Sequence, residues 1–436
     1  MTYPVRAVNG ILISGFMTPP SASEIIYPET EAEKLRSEIG GFGPNVERAG
    51  ILEKDRYQSL LNSLDYALEV EAKTALHLLG REWDFFMIEF QGTDELQHKF
   101  WQFTDPTHPL FDSAKQLKYG TAIMRYYEKV DQVLAQVLSK INLEDTTVIV
   151  VSDHGARSAH KWVSLNNLFW KRGLLHFNND LWTQLRLLLF KIGITPTSLY
   201  SLILKLHLTG LVKSIRTEAT RSTLRPFFIS LKDLDWSRTM VYSLGGWGQI
   251  YVNGSNLSQS DRFDLRKKII DLLLELEDEA TGQPIFSSEN IHLKEEIYRG
   301  QFLEDAPDLI ALPNPPYTGY ADYEFGFNRI ARNVVGVGGT HAMNGILCMV
   351  GALAKKGELK NASLVDIAPT ILYLLGLDIP VDMDGTILTH GINEKYLASI
   401  QPVYRGKTKD TAQGAYGYTE EQEERMKEHL KSLGYL

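Results

Sequence analysis

The feature that most constrains the fold is a β-prone run, Thr146 to Val151, which leads directly into the tetrapeptide Ser-Asp-His-Gly at 152–155. An apolar run of this length predicts a strand that is buried on both faces, as in a parallel sheet. In open α/β sheets, ligands bind at the carboxyl ends of the strands. Asp153 and His154 therefore lie where a functional site is expected, and both side-chain types bind divalent metals.

The net charge and the cysteine content limit the classes of function. The 436-residue chain has a formal net charge of −9. This charge argues against a nucleic-acid-binding surface, because phosphate contacts need clustered Lys and Arg. The single cysteine, Cys348, excludes an internal disulfide and is typical of a reducing compartment, so we expect a cytoplasmic protein. Because Cys348 lies in the apolar run 346–350, we expect its thiol to be buried and unreactive.

The sequence shows no membrane anchor. The first residues lack the charged and apolar regions of a signal peptide. No stretch reaches the roughly 18 uninterrupted apolar residues of a transmembrane helix. The closest approach, Leu181 to Val212, is interrupted by charged residues and by Pro196, and it predicts two amphipathic helices. We expect these helices to pack against the rest of the protein rather than on a membrane surface.

Strand-like and helical patterns alternate along the chain, which predicts the βαβ units of a mainly parallel sheet. The predicted strands are 10–15, 84–90, 146–151, 240–243, 249–252, 307–312 and 345–350. The predicted helices are 30–39, 55–79, 114–140, 262–278 and 364–375. Residues 419–433 are expected to form an exposed helix or to be partly disordered.

The composition changes after Asn166 and suggests a division of the chain. Residues 166–230 are rich in Leu and Lys and contain no strand-like run, so they predict a helical insertion or cap. The expected parts are a first part of the core over 1–165, a helical cap over 166–235, a second part of the core over 236–400 and a polar tail over 401–436.

Three loops, each beside a predicted strand, together carry five potential metal ligands. They are Asp94 and His98 after the second strand, Asp153 and His154 after the third, and His341 in a glycine-rich loop before the last. The spacing of the first pair places both side chains on one face of a helix. Two carboxylates and three imidazoles suit zinc, or manganese or iron, and favour a hydrolytic centre over a structural one. Two such metals about 3.5–4 Å apart can hold the attacking and leaving oxygens of a phosphoryl transfer.

Taken singly, each of these signals also has a purely structural explanation. An Asp/His pair four residues apart occurs often on surface helices, Asp-His-Gly can form a turn, and His341 can be a hydrogen-bonded loop residue. Close to Asp153 in sequence, His160 and Lys161 are further candidates for contact with a substrate phosphate. The sequence contains no Walker A motif, no dinucleotide-binding glycine pattern and no Gly-x-Ser-x-Gly elbow.

The order of these motifs resembles the alkaline phosphatase superfamily. Asp-x-x-x-His at 94–98, Ser-Asp-His-Gly at 152–155 and Gly-Thr-His at 339–341 follow one another as in its type I phosphodiesterase/nucleotide pyrophosphatase-like phosphohydrolases and phosphomutases. Residues 364–372 and 382–385 are similar to the C-terminal helix of the superfamily and to the segment after it. The similarity extends to about residue 400.

The resemblance implies a fold, a reaction and a metal site. The fold is a three-layer αβα sandwich around a mainly parallel sheet, with a cap inserted after the Asp-His-Gly strand. The reaction is the hydrolysis of a small-molecule phosphate ester at two divalent metals, with zinc expected and manganese as the alternative. Asp94, His98 and His341 would hold one metal, whereas Asp153 and His154 would help to hold the other.

Two elements of that family have no counterpart in the sequence. Members begin with a strand that carries another metal-binding Asp, followed by a Thr or Ser nucleophile at a helix N-terminus. We therefore expect an incomplete second metal site and a nucleophile supplied by a segment outside this chain. Thr93, Ser152 and Thr340 lie beside ligands but are poor candidates for the nucleophile, because loop geometry already constrains them.

Two alternative functions follow from the same observations. The first is a non-catalytic fragment or a metal-binding pseudoenzyme of the superfamily. The second is a phosphomutase or a sulfatase, although a sulfatase needs a modifiable Cys or Ser in the segment that is missing here. Neither the substrate nor the oligomeric state follows from the sequence.

Overall fold

A computed structural model describes residues 3–15, 18–19, 22, 24–40, 55–206, 225–254, 257–320 and 324–407. Its α-helices are α1 (Thr30–Ile39), α2 (Arg56–Leu78), α3 (Gly92–Phe100), α4 (Ser113–Tyr119), α5 (Ala122–Leu138), α6 (Leu165–Lys171), α7 (Leu181–Lys191), α8 (Pro196–Lys205), α9 (Gln259–Leu274), α10 (Lys294–Ile297), α11 (Ile367–Leu374) and α12 (Glu394–Ser399).

The strands of the same residues are short. They are β1 (Leu12–Ile13), β2 (Ile26–Tyr27), β3 (Thr147–Val151), β4 (Gly155–Ser158), β5 (Lys161–Val163), β6 (Val241–Leu244), β7 (Gln249–Val252), β8 (Ile291–Leu293), β9 (Leu309–Ala311), β10 (Tyr317–Gly319), β11 (Ala331–Asn333), β12 (Gly339–Ala342) and β13 (Leu347–Gly351). The protein therefore has the mixed helices and sheets of an α/β protein.

The strands pair in several small sheets. The largest has the order β6-β7-β9-β8, a second has the order β10-β5-β11, and the remaining pairs are β12-β4, β13-β3 and β1-β2. Strand β5 pairs in parallel with β10. The other pairings of these strands are antiparallel. The prediction of a mainly parallel sheet is thus wrong for the part of the chain that the structure describes.

The predicted strand over 84–90 is also wrong. Its absence removes one of the strands that the predicted parallel sheet required. The segment forms no strand, and its Phe85 and Met87 side chains are 50% and 75% exposed. Strand β3 is present as predicted, but its described partner is the antiparallel β13 along one edge. Because this pair has no further strand beside it among the described residues, β3 is only partly buried. Cys348 on β13 is exposed rather than buried, for the same reason.

Most predicted helices are confirmed, with one division. The predicted helix over 114–140 is interrupted between α4 and α5, at Gly120. A Cβ at this glycine would lie 2.7 Å from the Gln116 carbonyl oxygen and 3.3 Å from that of Phe103. The break therefore depends on a close backbone approach that only glycine permits. The predicted helix over 419–433 lies outside the described residues.

The described residues of the 166–230 segment contain α6, α7 and α8 and no strand. None of the helices in the described residues is both long and apolar enough to cross a membrane. Helix α7 nevertheless has several strongly exposed apolar side chains. The expectation that this region is buried against the rest of the protein is therefore wrong for one of its faces.

The apolar core around helix α3 fixes the position of its polar face. Leu96 and Phe100 on α3 are fully buried, in a cluster with side chains of α2 and α5. Tyr57 and Phe103 both stand edge-on to the Phe100 ring, with ring centroids 5.5 Å and 5.9 Å away. Since residues four apart share a helix face, the two buried positions leave Asp94 and His98 on the opposite face of α3.

Candidate metal centre

Helix α3 supplies the first two side chains of the candidate site. Asp94 and His98 lie one helical turn apart, and Asp94 Oδ1 lies 3.3 Å from His98 Nε2. His98 Nδ1 donates to the carbonyl oxygen of Gly339 at 2.8 Å. This bond orients the ring and leaves a lone pair on Nε2 of the neutral imidazole. Helix α3 is thereby linked to the first residue of β12.

The pairing of β4 with β12 supplies the other two imidazoles. His341 on β12 lies opposite Ala156 on β4, and His154 directly precedes β4. His154 Nδ1 donates to the carbonyl oxygen of Gly155 at 2.9 Å. This ring is therefore oriented in the same way as His98, with a lone pair on Nε2.

Four side chains converge on one point, and we call them the Asp–His group: Asp94, His98, His154 and His341. The Nε2 atoms of the three imidazoles lie 3.3 Å, 3.9 Å and 3.4 Å from Asp94 Oδ1, in sequence order. His98 Nε2 and His341 Nε2 are 2.9 Å apart. Ligand atoms of Asp94, His154 and His341 all lie within 4.8 Å of one another, a spacing that suits a shared metal ion.

At the centre of the Asp–His group, the nitrogen and oxygen atoms that can accept a hydrogen bond outnumber the hydrogens available for donation. In the neutral form, His98 and His154 each present Nε2 as an acceptor, because their Nδ1 hydrogens are donated to carbonyls. His341 Nε2 can donate one proton toward His98, and the Asp94 carboxylate adds a negative charge. A cation at the centre would relieve the repulsion among these electron-rich atoms, and it would displace that proton.

His341 is held between two aromatic rings. Its imidazole stacks on His154 with ring centroids 3.6 Å apart, and on Trp247 with centroids 4.8 Å apart. Burial lowers the pKa of His341, although hydrogen bonding to Asp94 opposes the shift. The neutral imidazole, which is the form that binds metals, is therefore favoured near neutral pH.

Asp153 lies at the edge of this group. Its Oδ2 is 3.6 Å from His154 Nε2, and its side chain is 65% exposed. Its Oδ1 accepts from the His154 backbone N–H at 3.1 Å. The structure thus brings all five predicted ligands close together. It places His154 with Asp94 and His341, whereas the resemblance implies that His154 binds a separate metal with Asp153.

His160 and Lys161 contact other acids. His160 Nε2 lies 2.9 Å from Asp105 Oδ2, which also accepts from the Ser158 hydroxyl. Lys161 Nζ forms an ion pair with Asp278, a residue that is almost fully buried. Both side chains therefore have local structural roles, and their contact with a substrate phosphate stays a prediction.

The hydroxyl groups beside the ligands are also engaged. Thr93 Oγ1 donates to the Phe90 carbonyl, and Ser152 Oγ accepts from the Ile346 N–H at 2.8 Å. Thr340 Oγ1 bonds to the hydroxyl of Thr318 at 3.1 Å. Each of these hydroxyls already has a hydrogen-bond partner, and the expectation that none of the three is the nucleophile stays a prediction.

Trp247 is the site residue that sequence reasoning missed. It lies in the turn between β6 and β7, flanked by Gly246 and Gly248. A Cβ at Gly248 would lie 2.0 Å from the Ala311 carbonyl oxygen, so the turn depends on this glycine. An aromatic residue in a glycine-rich turn was the available signal, but the sequence does not show that it stacks on His341.

The carboxyl groups of two glutamates lie near the site on its α2 side: Glu71 is partly buried, and Glu89 is more exposed. Burial and the neighbouring charge of Glu89 raise the pKa of Glu71 to about 8. Partial loss of hydration also raises the pKa of Glu89, and the negative charge of Asp153 adds to this effect. The folded protein therefore retains a proton on Glu71 near neutral pH.

Replacing Glu71 with glutamine is expected to stabilise the protein at pH 8 by about 4 kcal/mol. The unfolded chain releases the Glu71 proton as pH rises through 4.5, whereas the folded chain holds it until about pH 8. The wild-type free energy of unfolding therefore falls across this window. The Glu71→Gln variant lacks this loss, so its advantage is small near pH 5 and largest above pH 8.

Urea unfolding at pH 5, 6.5 and 8 measures this difference. Glu69→Gln is the matched control, because Glu69 lies on the same helix and is 60% exposed in an ion pair with Lys73. The control is expected to show no pH-dependent gain. Equal stability of Glu71→Gln and wild type at pH 8 would contradict the prediction.

A comparison with protein-family models identifies the family of the chain. A family model described as type I phosphodiesterase / nucleotide pyrophosphatase matches residues 14–341, more than half of the chain. The chain belongs to this family. The matched region includes the Asp–His group and Asp153, and it confirms the resemblance to the alkaline phosphatase superfamily. No curated protein and no solved structure matches the chain.

Proposed function

We propose that this type I phosphodiesterase/nucleotide pyrophosphatase family member is a metal-dependent phosphohydrolase that acts on small-molecule phosphodiesters. Family membership supports phosphoester hydrolysis as the class of reaction. The observation that carries the proposal is the convergence of three imidazole Nε2 atoms on Asp94 Oδ1. A group with this donor set has few structural uses, because it leaves lone-pair atoms facing one another.

The donor set fits a divalent metal of the zinc or manganese type. Imidazole and carboxylate ligands without cysteine are typical of hydrolytic rather than structural centres. The bonds from His98 and His154 to backbone carbonyls are the outer interactions that orient metal-bound imidazoles. We propose that Asp94 and His341 bind the first metal, together with His98, His154 or both. Asp153 would contribute to a second metal.

Each residue has a defined part in this proposal. When bound, the metal would stabilise negative charge on the phosphoryl and leaving oxygens. Asp94 supplies the anionic ligand, and the Gly339 and Gly155 carbonyls hold His98 and His154 in the required tautomer. Trp247 covers one face of His341 and shields that side of the group from water.

The nucleophile and the rest of the second metal site are proposed to come from a segment outside the described residues. Thr93, Ser152 and Thr340 are all bonded elsewhere. The exposed apolar side chains of Phe85, Met87 and the β3–β13 pair are consistent with an additional strand beside them. We also propose the three-layer αβα sandwich, with residues 166–235 as its cap.

The test combines metal binding with a comparison of substrates. The full chain is stripped of metal with a chelator, titrated with zinc or manganese, and assayed with bis-p-nitrophenyl phosphate. Restoration of diester hydrolysis by metal is the expected result, and metal content is measured by elemental mass spectrometry. A chain that binds no divalent metal would contradict the proposal.

The same assay separates the alternatives. Metal binding without any hydrolysis would favour a metal-binding pseudoenzyme, or a chain that needs a separate segment for the nucleophile. Adding a peptide or protein that carries such a segment distinguishes these two cases. Hydrolysis of p-nitrophenyl sulfate in preference to the diester would indicate a sulfatase, and transfer of phosphate within a sugar phosphate would indicate a mutase.

A further inference from the structure

Helix α7 is apolar on two opposite faces. One face is buried, and it contributes Leu187 and Phe190 to the large core cluster. The Phe190 ring centroid lies 6.0 Å from that of Trp170, and the ring stands edge-on to Phe325. This face accounts for the attachment of α7 to the protein. A surface helix normally carries polar residues on its opposite side.

The opposite side of α7 is apolar as well and is exposed to solvent. Its side chains are Leu181 at 79% exposure, Trp182 at 68%, Leu185 at 45%, Leu188 at 55% and Ile192 just after the helix at 65%. At about 100° per residue, these positions occupy an arc of about 120° on the helix. We call these five residues the α7 apolar face. Large exposed patches of this kind mark interaction surfaces.

Exposed apolar side chains continue directly after the α7 apolar face. Ile194 in the connection to α8 is 51% exposed, and Leu202 and Leu206 at the end of α8 are 50% and 55% exposed. The exposed apolar character therefore extends over two consecutive helices.

The charged residues of α7, α8 and their connection, residues 181–206, are all basic. Residues 181–206 contain no Asp or Glu, although the whole chain contains 54 of them. Lys191 and Lys205 are exposed, and the ammonium of Lys191, at the end of α7, lies 5.7 Å from the centroid of the Trp170 ring. Arg186 is paired with Asp233, which is buried, so that pair adds no exposed negative charge. The region is locally positive in a chain whose net charge is −9.

We propose that the α7 apolar face docks on the surface of an anionic lipid bilayer. Leu, Ile and Trp side chains on one helix face insert at the boundary between head groups and acyl chains. Lysines beside such a face extend to the lipid phosphates and add an electrostatic attraction. The helix lies in the plane of the interface and does not cross it, in agreement with its length.

The charge pattern favours lipid over a second copy of this chain. A twofold contact through the α7 apolar face would bring Lys191 of both copies to the same interface. Residues 181–206 offer no carboxylate for those lysines, and Asp180 just before them caps α7 by accepting from the Thr183 N–H. An anionic lipid surface satisfies the apolar and the positive components together.

Co-sedimentation of the full chain with vesicles tests the proposal. The vesicles are pure phosphatidylcholine, or phosphatidylcholine with roughly a third of phosphatidylglycerol. Wild type is expected to bind the anionic vesicles, and the double substitution Trp182→Ser/Leu188→Ser is expected to weaken binding at least about tenfold. Lys191→Glu is expected to weaken binding to anionic vesicles about fivefold, and to leave the weaker binding to neutral vesicles unchanged.

The matched control is Met124→Ser/Phe263→Ser. These residues are 58% and 64% exposed on other helices, so the control removes similar apolar area elsewhere. It is expected to bind vesicles like wild type. Thermal unfolding of all variants checks that the fold is retained.

A label at position 188 locates the contact. The single cysteine, Cys348, is replaced by serine, and an environment-sensitive fluorophore is attached to Leu188→Cys or to Met124→Cys. We expect a blue shift with anionic vesicles at 188 and none at 124. Equal vesicle binding by wild type and Trp182→Ser/Leu188→Ser would overturn the proposal. So would a concentration-dependent dimer that this double substitution abolishes, because the face would then bind a second copy.

Discussion

Replacing His341 with alanine is expected to weaken zinc or manganese binding by about three orders of magnitude. His341 Nε2 lies 3.4 Å from Asp94 Oδ1 and 2.9 Å from His98 Nε2, at the centre of the Asp–His group. Its removal takes away the imidazole that bonds to His98 and stacks on His154. Any metal-dependent diester hydrolysis should fall in parallel. Calorimetric titration with zinc measures the affinity directly, independently of activity.

Controls separate loss of the ligand from loss of the fold. His390→Ala removes an exposed imidazole from a 3₁₀ turn at Thr389–Gly391 and should bind metal like wild type. His341→Gln retains much of the side-chain volume between Trp247 and His154, but it should still lose most of the affinity. Unfolding temperatures of the metal-free variants should be close to that of the wild type. Unchanged zinc affinity in a folded His341→Ala protein would show that the group is not a metal site.

The local elements of the site follow from the sequence more directly than their assembly does. The strand that ends before Asp153 follows from its local pattern and is present. The helix that carries Asp94 and His98 is also present, although the sequence indicates it only through the spacing of these two residues. The expectation that these elements lie close to His341 comes from the family resemblance, and not from the spacing of the residues in the sequence. A metal ligand pattern shows which residue types are present, whereas three-dimensional proximity depends on how β4 pairs with β12.

The errors have a common physical origin. The apolar content of 84–90 and of the run at 346–350 predicts buried strands. In the structure, Phe85, Met87 and Cys348 are exposed. An apolar segment tends to be buried, but its sequence does not show which other element of the protein buries it. The exposed face of α7 is a second example of this kind of error. A helix with apolar residues on two faces has the sequence pattern of a fully buried helix.

The glycines before His341 are evident in the sequence, but the sequence does not show why glycine is needed there. The reason is the short distance between the backbones of α3 and β12. A Cβ at Gly339 would lie 2.6 Å from the Gln97 carbonyl oxygen and 3.2 Å from Trp101 Cβ. Gly338 donates its N–H to the His98 carbonyl oxygen at 2.7 Å. The two glycines therefore let the backbone of β12 lie directly against α3.

Replacing Gly339 with alanine is thus expected to lower zinc affinity between about tenfold and a hundredfold. The added methyl group must push β12 away from α3, since the nearest atoms belong to the backbone. This displacement stretches the bond from His98 Nδ1 to the Gly339 carbonyl and separates His98 from His341. The same strain should reduce the free energy of unfolding by about 1–3 kcal/mol. Zinc titration and urea unfolding measure the two effects.

Gly376→Ala is the control that separates strain from site geometry. Gly376 has a φ of +68°, and a Cβ there would meet no atom within 4 Å, so alanine is strained at this position but does not clash. The substitution should cost about 1 kcal/mol of stability and leave zinc affinity unchanged. If Gly339→Ala loses stability but retains full affinity, the contact between α3 and β12 does not position the ligands. If it loses affinity beyond what Gly376→Ala shows, the close backbone approach at Gly339 is what brings the ligands of α3 and β12 together in one metal site.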